Sequence, residues 1–210
     1  MPDVDGSLAR LSMLKAFLGI TNTTNDALLK QYLKAATQAF QTECARNFIS
    51  QTYTDEVYTA QRDQKRLYLR QWPVTNLAAI YYGETVKTVS DFDLINSPSI
   101  PYLILDSGAP FPYVDSYIKL TYTAGYDNSG WATAEVTLDS GDTWNVPADI
   151  ENAIIEYGTI LWYNSPASGK SRVGISGISR GQESITYERY DKSYPNSFRQ
   201  SIIKYRSITL

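Results

Sequence analysis

Histidine is absent from the 210 residues. That removes the commonest general base and the commonest metal ligand. Cysteine occurs once, at Cys44, so no internal disulfide closes and no cysteine-rich zinc cluster forms. No apolar run approaches the roughly 18 residues that cross a bilayer. The opening MPDVDGSLAR lacks the basic and apolar regions of a secretory signal. The triplet Asn22-Thr23-Thr24 therefore means little as a glycosylation site, and the expected compartment is a reducing cytoplasm. Positive charge is not in excess either: 19 Lys and Arg stand against 22 Asp and Glu, a net charge of −3. That balance argues against a protein that grips nucleic acid over a broad surface.

Tyrosine, by contrast, is abundant, with 17 copies. Large, stiff and amphipathic, it suits interfaces, and it suits ordinary strands equally well. A chain of this length buries roughly 70% of its unfolded surface and needs no staple. A single α+β domain is expected, with a helical part over 8–48, 147–164 and 196–206 and a β insertion over about 51–145.

The stretch 117–164 organises that expectation. In YIKLTYTAGY, Ile118, Leu120 and Tyr122 alternate with Lys119, Thr121 and Thr123, the period of a half-buried strand. In VPADIENAIIEYGTILWYN, Ile150, Ala153, Ile154, Tyr157 and Leu161 recur at helical spacing. Pro147 suits the first turn, and Asp149 and Glu151 suit the positive end of the helix dipole. This predicts a core helix over 149–163.

Upstream, Leu11, Leu14 and Leu18 predict an amphipathic helix over 8–18. Leu29, Leu33, Ala36, Phe40 and Cys44 predict a long one over 25–48, capped by Thr24 or Asn25. Cys44 on that stripe reads as a small buried hydrophobe. QTYTDEVYTA, KRLYLRQWPV and LAAIYYG read as strands, with Trp72-Pro73 marking a bend. Short strands are expected near 86–89 and 102–105, all joining one mostly antiparallel sheet. A hairpin turning at 139–142 is expected within 131–146. Residues 165–182, rich in Gly and Ser, read as a mobile loop, SITYERY as a short strand, and the segment after Pro195 as a final helix with a free tail.

Several motifs fail on context. Gly177-Ile178-Ser179-Arg180-Gly181 spells a nucleophile elbow, but its histidine partner does not exist. Gly169-Lys170-Ser171 resembles the end of a phosphate loop, but residue 164 is Asn where glycine is needed. Ser12-Met13-Leu14-Lys15 lies on an amphipathic helix with no K-T-G after it. Asp91 with Asp93, and Asp139 with Asp142, are the candidate carboxylate pairs, and acids in turns ordinarily hydrogen-bond local backbone. Arg62, Lys65, Arg66 and Arg70 form a basic run whose default reading is a solvated face. No catalytic residue, cofactor or metal ligand is assigned.

Taken in order, LARLSMLKAFLGI with NDALLKQYLKAATQAFQTECARNF, LYLRQWPVTNLAAIYYG, SDFDLI, YIKLTYTAGY and VPADIENAIIEYGTILWYN resemble the head–tail connector (adaptor) proteins of tailed bacteriophages and prophages. TAGY before a VPADI-type helix start is the sharpest piece. The resemblance implies a non-enzymatic virion protein of the neck, a ring of about twelve copies by analogy with the portal. It implies the portal and the next neck or tail protein as partners, with DNA passing through without sequence-specific binding and no membrane contact. Under that reading the long helices pack ring neighbours, and 165–182 and 197–210 make partner contacts. The residues expected to carry them are Arg172, Ile175, Ile178, Arg180, Phe198, Ile202, Tyr205 and Arg206. Three alternatives remain: another neck or tail-completion protein, a carbohydrate-acting enzyme using Asp and Glu, and a carbohydrate-binding module with a flat row of exposed aromatics.

Overall fold

The apolar stripe on the long helix is real. α2 (Asp26–Cys44) buries Leu29, Leu33, Ala36, Phe40 and Cys44 on one face, the positions a 3.6-residue repeat brings together. In the computed structural model the described residues are 6–96, 101–113, 117–132, 144–168, 177–180, 183–186 and 194–206, with only backbone pairing for 177–186. The fold is α+β. It divides into one unit built from 2–45 with 128–210, and another built from 46–127.

The first unit is helical. α1 (Leu11–Leu18), α2, α3 (Ala148–Tyr163) and α4 (Asn196–Tyr205) bury Leu11, Leu14, Leu29, Leu33, Ile150, Ile154 and Phe198. Gly158 of α3 marks a close approach, where a Cβ would stand 3.6 Å from Leu33 Cδ2 and 3.9 Å from Leu14 Cδ1. Charges inside this unit are paired, as burial demands. Arg10 donates from Nε and Nη2 to the two oxygens of Glu151 at 2.9 and 3.0 Å, and its backbone N–H adds a third bond to the same carboxylate. Lys15 reaches Asp26 at 2.8 Å.

Helix ends depart from expectation. α1 begins at Leu11, although Leu8 and Ala9 are already buried. α2 ends at Cys44, short of residue 48, because Ala45 turns left-handed at φ 55° and its N–H bonds back to Gln41 and Thr42 carbonyls. A stop of this kind is ordinarily a glycine, so the alanine hid it. Asn25 occupies the N-cap without a side-chain cap bond.

The second unit is a pair of sheets, where the sequence predicted one. β1 (Gln51–Tyr58), β7 (Ile118–Ala124), β3 (Val74–Tyr82) and β4 (Thr85–Lys87) lie in the order β1-β7-β3-β4. β2 (Leu67–Tyr68), β6 (Tyr102–Leu105) and β5 (Phe92–Ile95) lie in the order β2-β6-β5. Every pairing within them is antiparallel. β7 alternates as predicted, with Ile118, Leu120, Tyr122 and Ala124 buried. The inner faces meet in one core containing Tyr58, Leu67, Ile80, Phe92, Leu103, Phe111, Leu120 and Tyr122. β5 was not expected. It is only four residues long, and just two of them, Phe92 and Leu94, turn toward the core, too few to show a period.

Two features tie this unit together. Gly125 sits at φ +113°, and a Cβ there would lie 2.6 Å from the Ile49 backbone. Around it Tyr126 N–H donates to Phe48 O at 2.7 Å and Ser50 N–H to Tyr126 O at 2.9 Å. Arg46 is fully buried, its guanidinium 3.5 Å from the Trp72 ring and 4.1 Å from Phe48, with Nη2 donating to Trp72 O at 2.6 Å.

Tyr58 and Tyr122 each donate to Glu56 Oε2 at 2.5 Å and lie 3.1 Å apart. Burial is the main cause that lifts both phenols above the usual range, joined by the Glu56 charge at Tyr58 and by the Tyr58 charge at Tyr122. The unfolded chain releases these protons near pH 10, whereas the folded chain holds them. Stability is therefore full below pH 10 and falls above it, by about 1.4 kcal/mol per pH unit for each phenol. An alkaline series of urea melts should show this slope, and Tyr122→Phe should remove its share. A melt midpoint that is flat from pH 9 to 12 would contradict the assignment.

Beyond the two units' sheets and helices, Gly177–Arg180 and Glu183–Thr186 pair as the hairpin β8–β9. The sequence predicted loop for the first of these, because its glycines and serines mask an alternation of only four residues. The hairpin expected at 139–142 lies outside the described residues.

Candidate assembly surface

α4 is fastened at both ends. Phe198 is fully buried, with its ring 4.7 Å from Tyr194, 5.0 Å from Tyr157 and 5.4 Å from Phe40. At the other end, Asp149 at the start of α3 accepts from Lys204 at 2.6 Å and from the Tyr205 hydroxyl at 2.9 and 3.0 Å. Burial pushes the Asp149 carboxyl up, but the bonds from Lys204 and Tyr205 and the Lys204 charge outweigh it and hold it below the usual range. The same bond raises Lys204 to about 12.

This packing assigns the faces of α4. Phe198 and Ser201 point inward, and Ile202 and Tyr205 are half-buried. Arg199, Gln200, Ile203 and Arg206 point outward, with Ile203 79% exposed. Of the eight residues expected to carry contacts, Arg206 is exposed, Ile202 and Tyr205 are at the margin, and Phe198 supports the helix from beneath. Ile178 and Arg180 lie on β8, where only the backbone is described, and Arg172 and Ile175 lie outside the described residues. Sequence reasoning missed Ile203. Once packing makes 198 and 201 the inner positions, residue 203 faces out, but the sequence, with apolar groups on more than one side of the helix, does not say which side is inner. Phe17, 64% exposed at the end of α1, is a second solitary outward apolar group on the helical unit.

Among the described residues, the other candidates are placed as follows. Asp91 and Asp93 flank Phe92 as expected. Phe92 is buried, and both acids are exposed, joined by Asp106. The Asp93 charge beside it is the main cause that raises Asp106, with smaller contributions from desolvation, a hydrogen bond that the protonated Asp106 carboxyl donates to Asp93, and the Asp91 charge. Among the described residues no group of three His, Cys, Asp or Glu is placed to hold a metal ion. Asp139 and Asp142 lie outside the described residues. Tyr68, exposed, and Tyr102, half-buried, meet at an interplanar angle of 63°, so they do not make a flat platform for a sugar ring. Of the basic run, Arg70 lies 3.6 Å from Glu56 and Arg66 stacks on Tyr102 at 5.1 Å. Among the described residues no helix is long and apolar enough to cross a membrane.

A helical unit carrying an outward helix face, and a separate β unit, are the features the comparisons with known proteins must account for. Residues 7–208 match the family model described as head completion protein, and the chain belongs to that family. It is a structural head–tail connector of a phage-type virion. Three solved structures share the fold. The first, the neck of an empty gene transfer agent particle computed with C6 symmetry, has TM-score 0.57 at 17% identity, over 95% of this chain and 90% of that one. The second, from the virion of a native gene transfer agent particle, has TM-score 0.58 at 19% identity, over 99% and 93%. The third, the neck of a native particle computed with C12 symmetry, has TM-score 0.53 at 18% identity, over 88% and 84%. A search of curated proteins finds no match.

Proposed function

We propose that this protein acts as a ring of about twelve copies beneath the portal of a filled head, extends the DNA channel, docks the next neck or tail protein, and transforms no substrate. The carrying observation is the family match over 7–208. The likeness to chains from necks solved with C6 and C12 symmetry supports a ring. Such a ring is closed by a heterologous contact, one surface meeting a different surface on the next copy. The helical parts 8–48, 147–164 and 196–206, with the β segment over about 51–145, act together as one structural module. Its helices α2 and α3 pack ring neighbours, and the sheets are an outward elaboration. The acidic balance suits a conduit, since a basic lining would hold passing DNA through released counterions.

The segment 165–182 and the C-terminal 197–210 make the portal-side or tail-side contacts, through Arg172, Ile175, Ile178, Arg180, Ile202, Tyr205 and Arg206, with Phe198 supporting them and Ile203 added. The mass of the purified protein, alone and mixed with portal rings, tests the whole reading. A stable multimer on the portal is expected, and a monomer that ignores the portal overturns it. Deleting 203–210 tests the tail assignment separately. Portal binding is expected to weaken at least tenfold, and unchanged binding would remove those residues from the contact.

A further inference from the structure

The small sheet β2-β6-β5 is polarised. Its inner face carries Leu67, Leu94, Leu103 and Phe92. Its outer face carries Tyr68, Tyr102 and Ile95 in one cross-strand row, because Tyr68 pairs with Tyr102 and Ile95 with Tyr102. The next row holds Asp93 opposite Ile104. One step beyond Leu67↔Leu103, the same register sets Arg66 opposite Ile104 on the other side. That row therefore runs acid, isoleucine, base, with its two charges two strand spacings, about 9.5 Å, apart.

The polarity extends beyond the row. Asp91 and Asp93 stand on the β5 side and Asp106 follows the central strand β6 at the same end, all exposed, and no ion pair reaches any of them among the described residues. Asp106 N–H donates to Asp91 O at 3.1 Å, which fixes the trio at one end of the sheet and crowds like charge there. Around the β2 edge stand Arg62, Lys65 and Arg66, also exposed. Among the described residues Arg62 has only Asp63 at 4.0 Å, a contact in open solvent, worth little. Both outer strands are sheet edges. A protein normally blunts such edges with charge of one sign or mixed sign. Here each edge has its own sign, at the same height on the sheet.

We propose that the β5 edge of one copy receives the β2 edge of a second copy, with Asp91, Asp93 and Asp106 facing Arg62, Lys65 and Arg66. Copies set side by side in register bring the Arg66 of one next to the Asp93 of the other. The apolar centres Ile95, Ile104, Tyr102 and Tyr68 then line up as one continuous strip. The contact is heterologous, so each copy keeps a free edge of each sign and the series closes only as a ring. This rests on the ring reading above and adds a second contact to it, in the β unit.

Charge reversal tests it. One variant carries Arg62→Glu, Lys65→Glu and Arg66→Glu, and the other carries Asp91→Lys, Asp93→Lys and Asp106→Lys. All six residues are exposed, so thermal melts should match the parent protein and show that both variants fold. Assembled mass is then read by sedimentation with portal rings present. Each variant alone presents two edges of one sign, and its multimer is expected to be lost. An equal mixture alternates acidic and basic copies, and the multimer is expected to return, weakening as salt screens the pairs. Either variant assembling alone like the parent overturns the inference and leaves the ring reading intact. A mixture that stops at heterodimers overturns the side-by-side arrangement. A parent protein that forms no multimer with portal rings overturns the ring reading, and this contact with it.

Discussion

Gly125→Ala is expected to destabilise the protein by about 2–6 kcal/mol, adding backbone strain to overpacking. The two contributions have separate origins. At φ +113° an L side chain is strained wherever it points. In addition the new methyl group would be driven to 2.6 Å from Ile49 C and O and 2.7 Å from Ser50 N. Those are backbone atoms, held by the bonds of Tyr126 and Ser50 on either side, so they have no rotamer to change. For a unit of this size the shift in melting temperature is on the order of 10 °C. Gly108→Ala is the control. It shares positive φ, at +67°, but nothing lies within 4 Å of its Cβ position, so only strain of roughly 1 kcal/mol remains. Equal effects from the two substitutions would show that the close approach at Gly125 does not matter.

Phe198→Ala is expected to lose about 3–5 kcal/mol, the usual effect of emptying a buried aromatic site. The ring lies between Phe40 on α2, Tyr157 on α3 and Tyr194 just before α4. Its removal therefore loosens three elements at once. The helix would still be held by the Ser197 hydroxyl on Glu156 and by the Asp149 cluster at its far end, and partial proteolysis should cut near residue 196 first. Ile203→Asp is the informative partner. The side chain is 79% exposed, so the melt should move by less than about 0.5 kcal/mol, while binding to portal rings weakens. If Ile203→Asp destabilised the fold and Phe198→Ala did not, the two faces of α4 would have been exchanged.

How much of this was legible beforehand depends on how long each pattern runs. The stripe on α2 repeats over nineteen residues, and β7 alternates over seven with every odd member buried. Both were readable, because a period becomes certain only after several repeats. The stretch YIKLTYTAGY before VPADI was readable for a second reason. Gly125 is where the Ile49 backbone passes, so the glycine in TAGY reports a contact as well as a turn. Short elements were read unevenly. β2, β4 and β6 fall on strands the sequence predicts, whereas β5 and β8, four residues each, are too short to show alternation.

Functional surfaces divided in the same way. The last helix was visible from Pro195 and the spacing of Phe198, Ile202 and Tyr205. Which of its residues are buried was not visible. A helix carrying Phe198, Ile202, Ile203 and Tyr205 has apolar groups on more than one side, and only its neighbours choose the inner one. Asp91, Asp93 and the basic run 62–70 were noticed as separate features. Nothing in their spacing says that they occupy opposite edges of one sheet.

The sequence by itself therefore determined what kinds of chemistry are excluded, that helices flank a β-rich middle, and which long segments form the cores. Those follow from composition and local periodicity, which are properties of neighbours along the chain. Tertiary structure alone decided that the strands form two sheets, that α2 stops at Cys44, that Phe198 is inside while Ile203 is outside, and that opposite charges stand at equal height on opposite edges. Each of these depends on which distant segment arrives to cover a given face, and that choice is made by the whole set of packing contacts together.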